Sequence, residues 1–435
     1  MWTWPVRIFA IPMIRGEFRL ALAFWVALAA AAMPCEARDL SLTEAEKLLA
    51  AHNRELRAAR RTVESAQAQR LIAGARPNAT FSINSSEINT NPGIGGGSLG
   101  QKHVDTVFRI DQPFERGDKR ELRLDVASGL QKAAENDSLD VLRQQLAALR
   151  AAYFDLKQVQ EKVVVLADTA QLFTGTLAAA QARLKAGDLA PADVAKVQVD
   201  YERAQNEARA VRAELVRTQF ALGYMIGAEA AAAELSATDP WPGVERADAL
   251  AIEQAIESRP DVLAAQARVE AAEKQRDLAK AQRSRDFTIG AQFERFPGSV
   301  PINSIGFGVA FPLFTGYDFS GDIQKAEIDR YAALDALERA RALAGIELRR
   351  AASDLNAAAE RLERYESSLL GAAGRSAQAA EFAFLRGATS VLEVLDARRT
   401  LRAVQLEAVS ARADYAKALA AWRASLSTAE QLGGR

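Results

Sequence analysis

Three acidic residues stand where they could do chemistry. Glu393 and Asp396 are three residues apart, so they share one face of a helix, and Asp193 opens an equivalent stretch about 200 residues earlier. Carboxylates gathered around a narrow passage favour cations, but at the start of a helix they also simply complement its dipole. Metal-ligand chemistry has little to work with. His52 and His103 are the only histidines and lie far apart, Cys35 is the only cysteine, and methionines are few. His52 sits on an alanine-rich helical track and reads as a packed helix residue, while His103 begins a strand. No metal site and no cofactor is expected. The chain has no glycine-rich phosphate loop and no nucleophile–base spacing, which argues against an enzyme.

The elements that position these acids are duplicated. Val63, Glu64, Ala66, Arg70, Ala73, Phe81 and Ile83 recur about 206 residues later as Val269, Glu270, Ala272, Arg276, Ala279, Phe287 and Ile289. Pro113 and Gly117 recur as Pro312 and Gly316, and Gly187, Val194, Gln205, Glu207 and Arg212 as Gly387, Val394, Gln405, Glu407 and Arg412. Each copy reads helix, strand, strand, long helix, turn, helix. A repeat this long is a duplicated module rather than a short solenoid unit.

The N-terminus reads as a targeting segment, residues 1–37. Arg7, Arg15 and Arg19 precede an apolar run from Leu20 to Ala32 that is too short to span a bilayer and ends in small residues near Ala37. Met13 is an alternative start. Cys35 could accept a lipid, but Pro34 is a poor residue before a lipidation cysteine, so the plain reading is a residue discarded with the leader. A net charge of -1 gives no reason to expect nucleic acid.

Leu42, Leu49, Leu56 and Val63 fall on one heptad track, with Ala45, Ala59, Ala66 and Ala73 beside them, predicting a helix from Leu42 to Arg76 ended by Pro77. Leu142, Leu149, Leu156, Val163, Ala170, Leu177 and Leu184 continue the seven-residue repeat, and no proline interrupts Lys119 to Ala186. That helix is about 100 Å long, and the repeat implies a left-handed supercoil. Gly187 marks a turn and Pro191 starts a returning helix of half that length, fading near Gly227. The second copy predicts a helix from Ala247 to Arg283, a long helix from Asp322 to Arg386, and a final helix from Val391 to Ser427. The expected organisation is a first repeat at 38–226, a linker in the equatorial region at 227–246, a second repeat at 247–427 and a tail at 428–435.

Strands are expected near 79–90, 103–113, 286–296 and 304–313. Phe81, Ile83, Phe108 and Ile110 alternate with polar residues, as do Phe287, Ile289 and Phe293, while Ile305, Phe307, Val309 and Phe311 alternate mainly with small ones. One apolar face over about ten residues fits a lipid-facing barrel strand; an ordinary half-buried hairpin fits the same residues. Four strands cannot close in lipid, where open edges are not tolerated, so strands must be shared between copies of the chain. That argument allows a dimer as well as a trimer.

From about Leu40 to Ser427 the chain resembles the outer-membrane factor (TolC-like) family. The most specific piece is Gly387-Ala-Thr-Ser-Val-Leu-Glu393-Val-Leu-Asp396-Ala397, with a weaker match at Gly187-Asp-Leu-Ala-Pro-Ala-Asp193-Val194. The resemblance implies a mostly α fold with a small transmembrane β part: a homotrimeric twelve-stranded barrel in the outer membrane, continued by a twelve-helix coiled-coil α-barrel in the periplasm. It further implies that Asp193, Glu393 and Asp396 line the periplasmic aperture. The turns bearing Arg183, Leu184, Gly187, Leu385, Arg386 and Gly387 would then dock a periplasmic adaptor protein. Relatives that lock shut with a tyrosine and an arginine would place them at Phe384 and Thr389, which cannot make that lock; Arg386 or Arg183 are the available substitutes.

Arg76-Pro77-Asn78 and Gln112-Pro-Phe-Glu-Arg-Gly-Asp-Lys-Arg120 resemble the heavy-metal efflux (CzcC-like) branch, although a polar cuff at the membrane edge accounts for them equally. The resemblance therefore implies a passive conduit for an inner-membrane RND pump and its adaptor, carrying divalent metal cations. Drug or solute efflux and type I protein secretion are the alternatives within the class. A secreted coiled-coil scaffold without a pore is the alternative outside it.

Overall fold

The computed structural model describes residues 38–86, 88, 104–248, 250–297, 301–386 and 388–434. The leader, Cys35, His103 and Gly387 lie outside the described residues. The first copy comprises β1 (Arg38–Leu40), α1 (Leu42–His52), α2 (Arg54–Gly74), β2 (Thr80–Ser86), β3 (Asp105–Phe114), α3 (Lys119–Ala186) and α4 (Pro191–Ile226). A 3-10 turn (Glu229–Glu234) and β4 (Leu235–Ala237) fill the linker. The second copy comprises α5 (Leu250–Ile256), α6 (Pro260–Ala281), β5 (Phe287–Pro297), β6 (Pro301–Ala310), α7 (Ser320–Arg364), a π turn (Tyr365–Leu369), α8 (Leu370–Leu385) and α9 (Val391–Ser425). A short α10 (Ala429–Gly433) ends the chain.

The 68-residue α3 runs as its unbroken heptads require. Helix α4 likewise runs unbroken from Pro191 to Ile226, but three of the other expected helices are interrupted. The helix expected from Leu42 to Arg76 divides at Asn53, whose Oδ1 accepts from the Leu56 N–H while its Nδ2 donates to the Met225 carbonyl. It stops at Gly74, short of Pro77. His52 is exposed at this break rather than packed; Asn53 is the buried residue. The helix expected from Ala247 to Arg283 divides before Pro260, which starts α6 as an N1 proline. The second long helix starts at Ser320 and widens into the π turn before ending at Leu385. The last helix stops two residues short of Ser427, and the tail folds as α10 under a Thr428–Gln431 capping box.

The linker does more than bridge. β4 pairs in parallel with β1, Leu40 opposite Ala237. Tyr153 on α3 donates to the Leu40 carbonyl at 2.9 Å and accepts from the Thr238 and Asp239 N–H groups at 3.1 and 3.0 Å. Its counterpart Tyr415 on α9 donates to the Gly243 carbonyl at 2.7 Å and accepts from the Glu245 N–H at 2.6 Å. Two buried phenols therefore clasp the girdle to the helices.

The helices pack side by side. Toward the sheet the order is α2–α3–α6–α7; at the far end it is α4–α3–α9–α8. The apolar interior is correspondingly a string of separate clusters. One surrounds Leu49, Leu149 and Tyr153, another Leu348, Leu355 and Tyr415, and a third Phe173, Val197 and Leu395 near the tip. Beyond each outermost helix, apolar side chains stand exposed, among them Leu71 and Ile72 on α2, Phe220 and Tyr224 on α4, Tyr331 and Ile346 on α7, and Phe382 on α8.

Candidate functional site

Two regions carry the candidate residues: the sheet at one end of the helical shaft and the two tip turns at the other. The sheet is antiparallel, ordered β2-β3-β5-β6. Phe81 lies opposite Ile110, Ile83 opposite Phe108, Phe108 opposite Phe293, Ile289 opposite Val309 and Phe293 opposite Ile305. Directly opposed residues point to the same side, so Phe81, Ile83, Phe108, Ile110, Phe287, Ile289, Phe293, Ile305, Phe307 and Val309 share one face. Phe311 follows directly after β6. Phe307 is 83% exposed and Ile305 74%, on a surface with nothing folded over it. Each such side chain gains about 1.5–3 kcal/mol on leaving water. β6 begins three residues earlier than expected and ends at Ala310.

The opposite face is polar and small. Arg109 grips Asp111 through Nε at 2.7 Å and an amino group at 2.9 Å, and reaches Gln292 at 3.3 Å. Gly290 makes room for that pair, since a Cβ there would meet the Asp111 carboxylate at 2.4 Å.

At the first tip, α3 ends in the left-handed conformation at Gly187 (φ 82°), with the Gly187 and Asp188 N–H groups donating to the Leu184 and Arg183 carbonyls. Asp193 occupies the first turn of α4 and is paired with Lys196 at 3.3 Å. At the second tip, the Ser390 side chain caps α9 by accepting from the Glu393 N–H. The Glu393 carboxylate in turn accepts from the Thr389 hydroxyl. Asp396 is exposed on the same helix face, with no ion pair among the described residues.

The two tips touch. The Arg183 guanidinium lies over the Phe384 ring at 4.6 Å, and Arg386 lies over Phe382 at 4.7 Å. Arg399 and Arg402 of α9 reach across to Asp200 and Glu207 of α4. Sequence reasoning found Arg183 and Arg386 but missed Asp200, whose signal is a carboxylate on the buried side of a heptad helix. Among the described residues, no group of three or more His, Cys, Asp and Glu comes together to hold a metal ion.

A sheet with one bare apolar face, carried on a helical shaft about 100 Å long, fits strands that meet an apolar environment better than it fits a soluble bundle. The chain matches the model of the outer membrane efflux protein family over residues 46–228 and 251–428, and it belongs to that family. It is 25% identical over 304 residues to the cobalt-zinc-cadmium resistance protein CzcC of Cupriavidus metallidurans, covering 68% of this chain and 71% of the relative. The fold is similar to that of the outer membrane protein VceC from Vibrio cholerae, with a TM-score of 0.72 and 20% identity over 89% of this chain and 96% of that one. It is likewise similar to the Campylobacter jejuni CmeC outer membrane channel, with a TM-score of 0.76 and 14% identity over 88% and 85%. The protein is an outer-membrane efflux channel whose helical tunnel extends into the periplasm, and it is not an enzyme.

Proposed function

We propose that three copies close head to tail into one conduit, recruited by a periplasmic adaptor and an inner-membrane RND pump to export divalent metal cations. The observation that carries the reading is the open four-stranded sheet with β2 and β6 as its rims. Antiparallel alternation lets the β6 rim of one copy pair with the β2 rim of the next, and the exposed apolar residues of α2, α4, α7 and α8 flank the same seam. Two copies would give eight strands, a bore that side chains fill; three give twelve and leave a passage.

The apolar face then meets lipid, and the Arg109–Asp111 face lines the lumen, where charge is tolerated. Glu393 and Asp396 recur around the axis as an acidic ring at the periplasmic aperture, with Asp193 beside them. The turns around Arg183, Leu184, Gly187, Leu385, Arg386 and Gly387 offer the adaptor its landing. The name of the CzcC relative and the acidic tip support metal cations as cargo. Selection rests with the pump, because the channel's acids favour positive charge without discriminating among metals.

Deletion of the chain in its host tests this directly. Zinc, cobalt and cadmium tolerance should fall; unchanged tolerance with altered drug or protein export would overturn the cargo. Reconstitution in planar bilayers should give cation-preferring conductance, and a scaffold without a pore would give none.

A further inference from the structure

Where strands give way to helices in the first copy, a recess of about 650 Å³ is bounded by Arg76, Pro77, Phe114, Arg116, Asp118 and Arg120. It begins where the apolar face of the sheet ends, since Phe114 lies on the same side of β3 as Phe108 and Ile110. Most charges around it are engaged. Lys119 donates to the Ser284 carbonyl at 2.8 Å and to Asp286 at 2.9 Å. Arg120 donates to the Gly74 carbonyl at 2.6 Å and to Glu121 at 3.1 Å, and Arg123 grips Glu115. Three charged side chains are left over. Arg76, Arg116 and Asp118 are exposed and have no side-chain hydrogen bond or ion pair among the described residues.

The same junction in the second copy has a smaller recess, of about 360 Å³, and its charges are engaged. Arg283 holds the Asp318 carbonyl at 3.0 Å, Arg285 lies over Phe314 at 5.6 Å, Asp322 accepts from Tyr317 at 2.9 Å, and Lys325 pairs with Asp329 at 2.6 Å. The contrast sets the free charges of the first copy apart from ordinary surface scatter.

We propose that this recess holds the headgroup of a zwitterionic, amine-bearing phospholipid from the periplasmic leaflet. The proposal rests on the reading of the apolar face as lipid-facing. Two guanidinium groups suit the phosphate oxygens, as forked donors do. Asp118 suits the ammonium, and Pro77 and Phe114 receive the first carbons of the tail. A phosphatidylglycerol headgroup leaves Asp118 unanswered, and inorganic phosphate leaves the apolar wall bare.

The test uses the full chain, purified in mild detergent from the outer membrane. Native mass spectrometry then measures retained lipid, and delipidated protein is titrated with phosphatidylethanolamine, phosphatidylglycerol and inorganic phosphate. The wild type should prefer phosphatidylethanolamine, the R76Q/R116Q variant should retain about tenfold less of it, and Asp118→Asn should erase the preference while keeping phospholipid binding. Undiminished retention in R76Q/R116Q, a wild-type preference for phosphatidylglycerol, or full displacement by inorganic phosphate would overturn the proposal. So would an R76Q/R116Q variant that loses its oligomer on native gels, because these arginines would then serve chain–chain contact. Insertion of the wild type into vesicles is measured first. A chain that fails to insert breaks the lipid-facing reading, whereas one that inserts without retaining phosphatidylethanolamine breaks only the headgroup site.

Discussion

The turn after α3 and the turn after α8 hold equivalent places in the two copies, yet their charge is arranged differently. Asp193 aligns with Glu393, and Lys196 aligns with Asp396. At the first tip Lys196 therefore cancels Asp193 within one helical turn, while at the second Glu393 and Asp396 have no paired cation among the described residues. Duplication supplied the scaffold, and divergence at single positions separated a paired acid from two unpaired ones. The same division of labour recurs along the molecule. The short-helix break is held by a neutral amide, Asn53, in the first copy and by a fully buried guanidinium, Arg259, in the second. The girdle clasp is three-pronged at Tyr153 and two-pronged at Tyr415.

The largest difference is expected at the breaks. Arg259 donates to Asp261 at 2.6 Å and to Glu347 at 2.8 Å. Arg259→Ala empties a fully buried site and leaves the partly buried Asp261 without its partner, and should cost about 3–5 kcal/mol, against about 1–3 kcal/mol for Asn53→Ala. Denaturant unfolding followed by circular dichroism checks this, and equal losses would remove the contrast. Burial alone would raise the Asp261 pKa, but its bonds from Arg259 outweigh burial and hold it below the ordinary 3.8. That contribution is present above about pH 4 and is lost as pH falls through the depressed folded value. Asp261→Asn should flatten the acid limb of the stability profile, an effect absent at the first-copy break.

Next come the clasps. Tyr153→Phe should lose about 2–3 kcal/mol and Tyr415→Phe about 1–2 kcal/mol, at roughly 1 kcal/mol per hydrogen bond. Thermal melts of the two variants rank them, and a larger loss at Tyr415 would reverse the assignment. Burial pushes both phenols up in pKa, so neither clasp should titrate at neutral pH.

The tips give smaller effects. Arg183→Ala removes the stack on Phe384, worth about 0.5–1 kcal/mol, and should raise resting conductance in planar bilayers. Unchanged conductance would mean that the contact does not restrain the tip. Glu393→Gln with Asp396→Asn should lower the cation-to-anion permeability ratio by on the order of threefold. Asp193→Asn should barely move that ratio, and Lys196→Gln should raise it slightly by unmasking Asp193. A larger effect from Asp193 than from the second-tip acids would refute the division between tips.

Much of this was readable from periodicity. The unbroken heptads of α3 gave its extent, and alternation gave the shared face of the four strands β2, β3, β5 and β6, because both patterns are local. The breaks at Asn53 and Arg259 escaped notice because the heptad resumes on the same track beyond each. Pro260 was the available signal, as a proline that starts a helix rather than one tolerated inside it. Pairing of β1 with β4 left no local trace, since two three-residue strands carry no alternation long enough to read. The contact of Arg183 with Phe384 joins residues some 200 positions apart, and only folding brings them together.

The bare rims of the sheet have a consequence for biogenesis. A solitary chain entering the bilayer would carry the unpaired N–H and carbonyl groups of β2 and β6 into hydrocarbon. Membrane entry must therefore be collective, with chains meeting before or during insertion. Its rate should rise more steeply than linearly with periplasmic chain concentration. Until then the rims and the apolar face mark an orphan chain, the kind of surface that chaperones shield and quality-control proteases find.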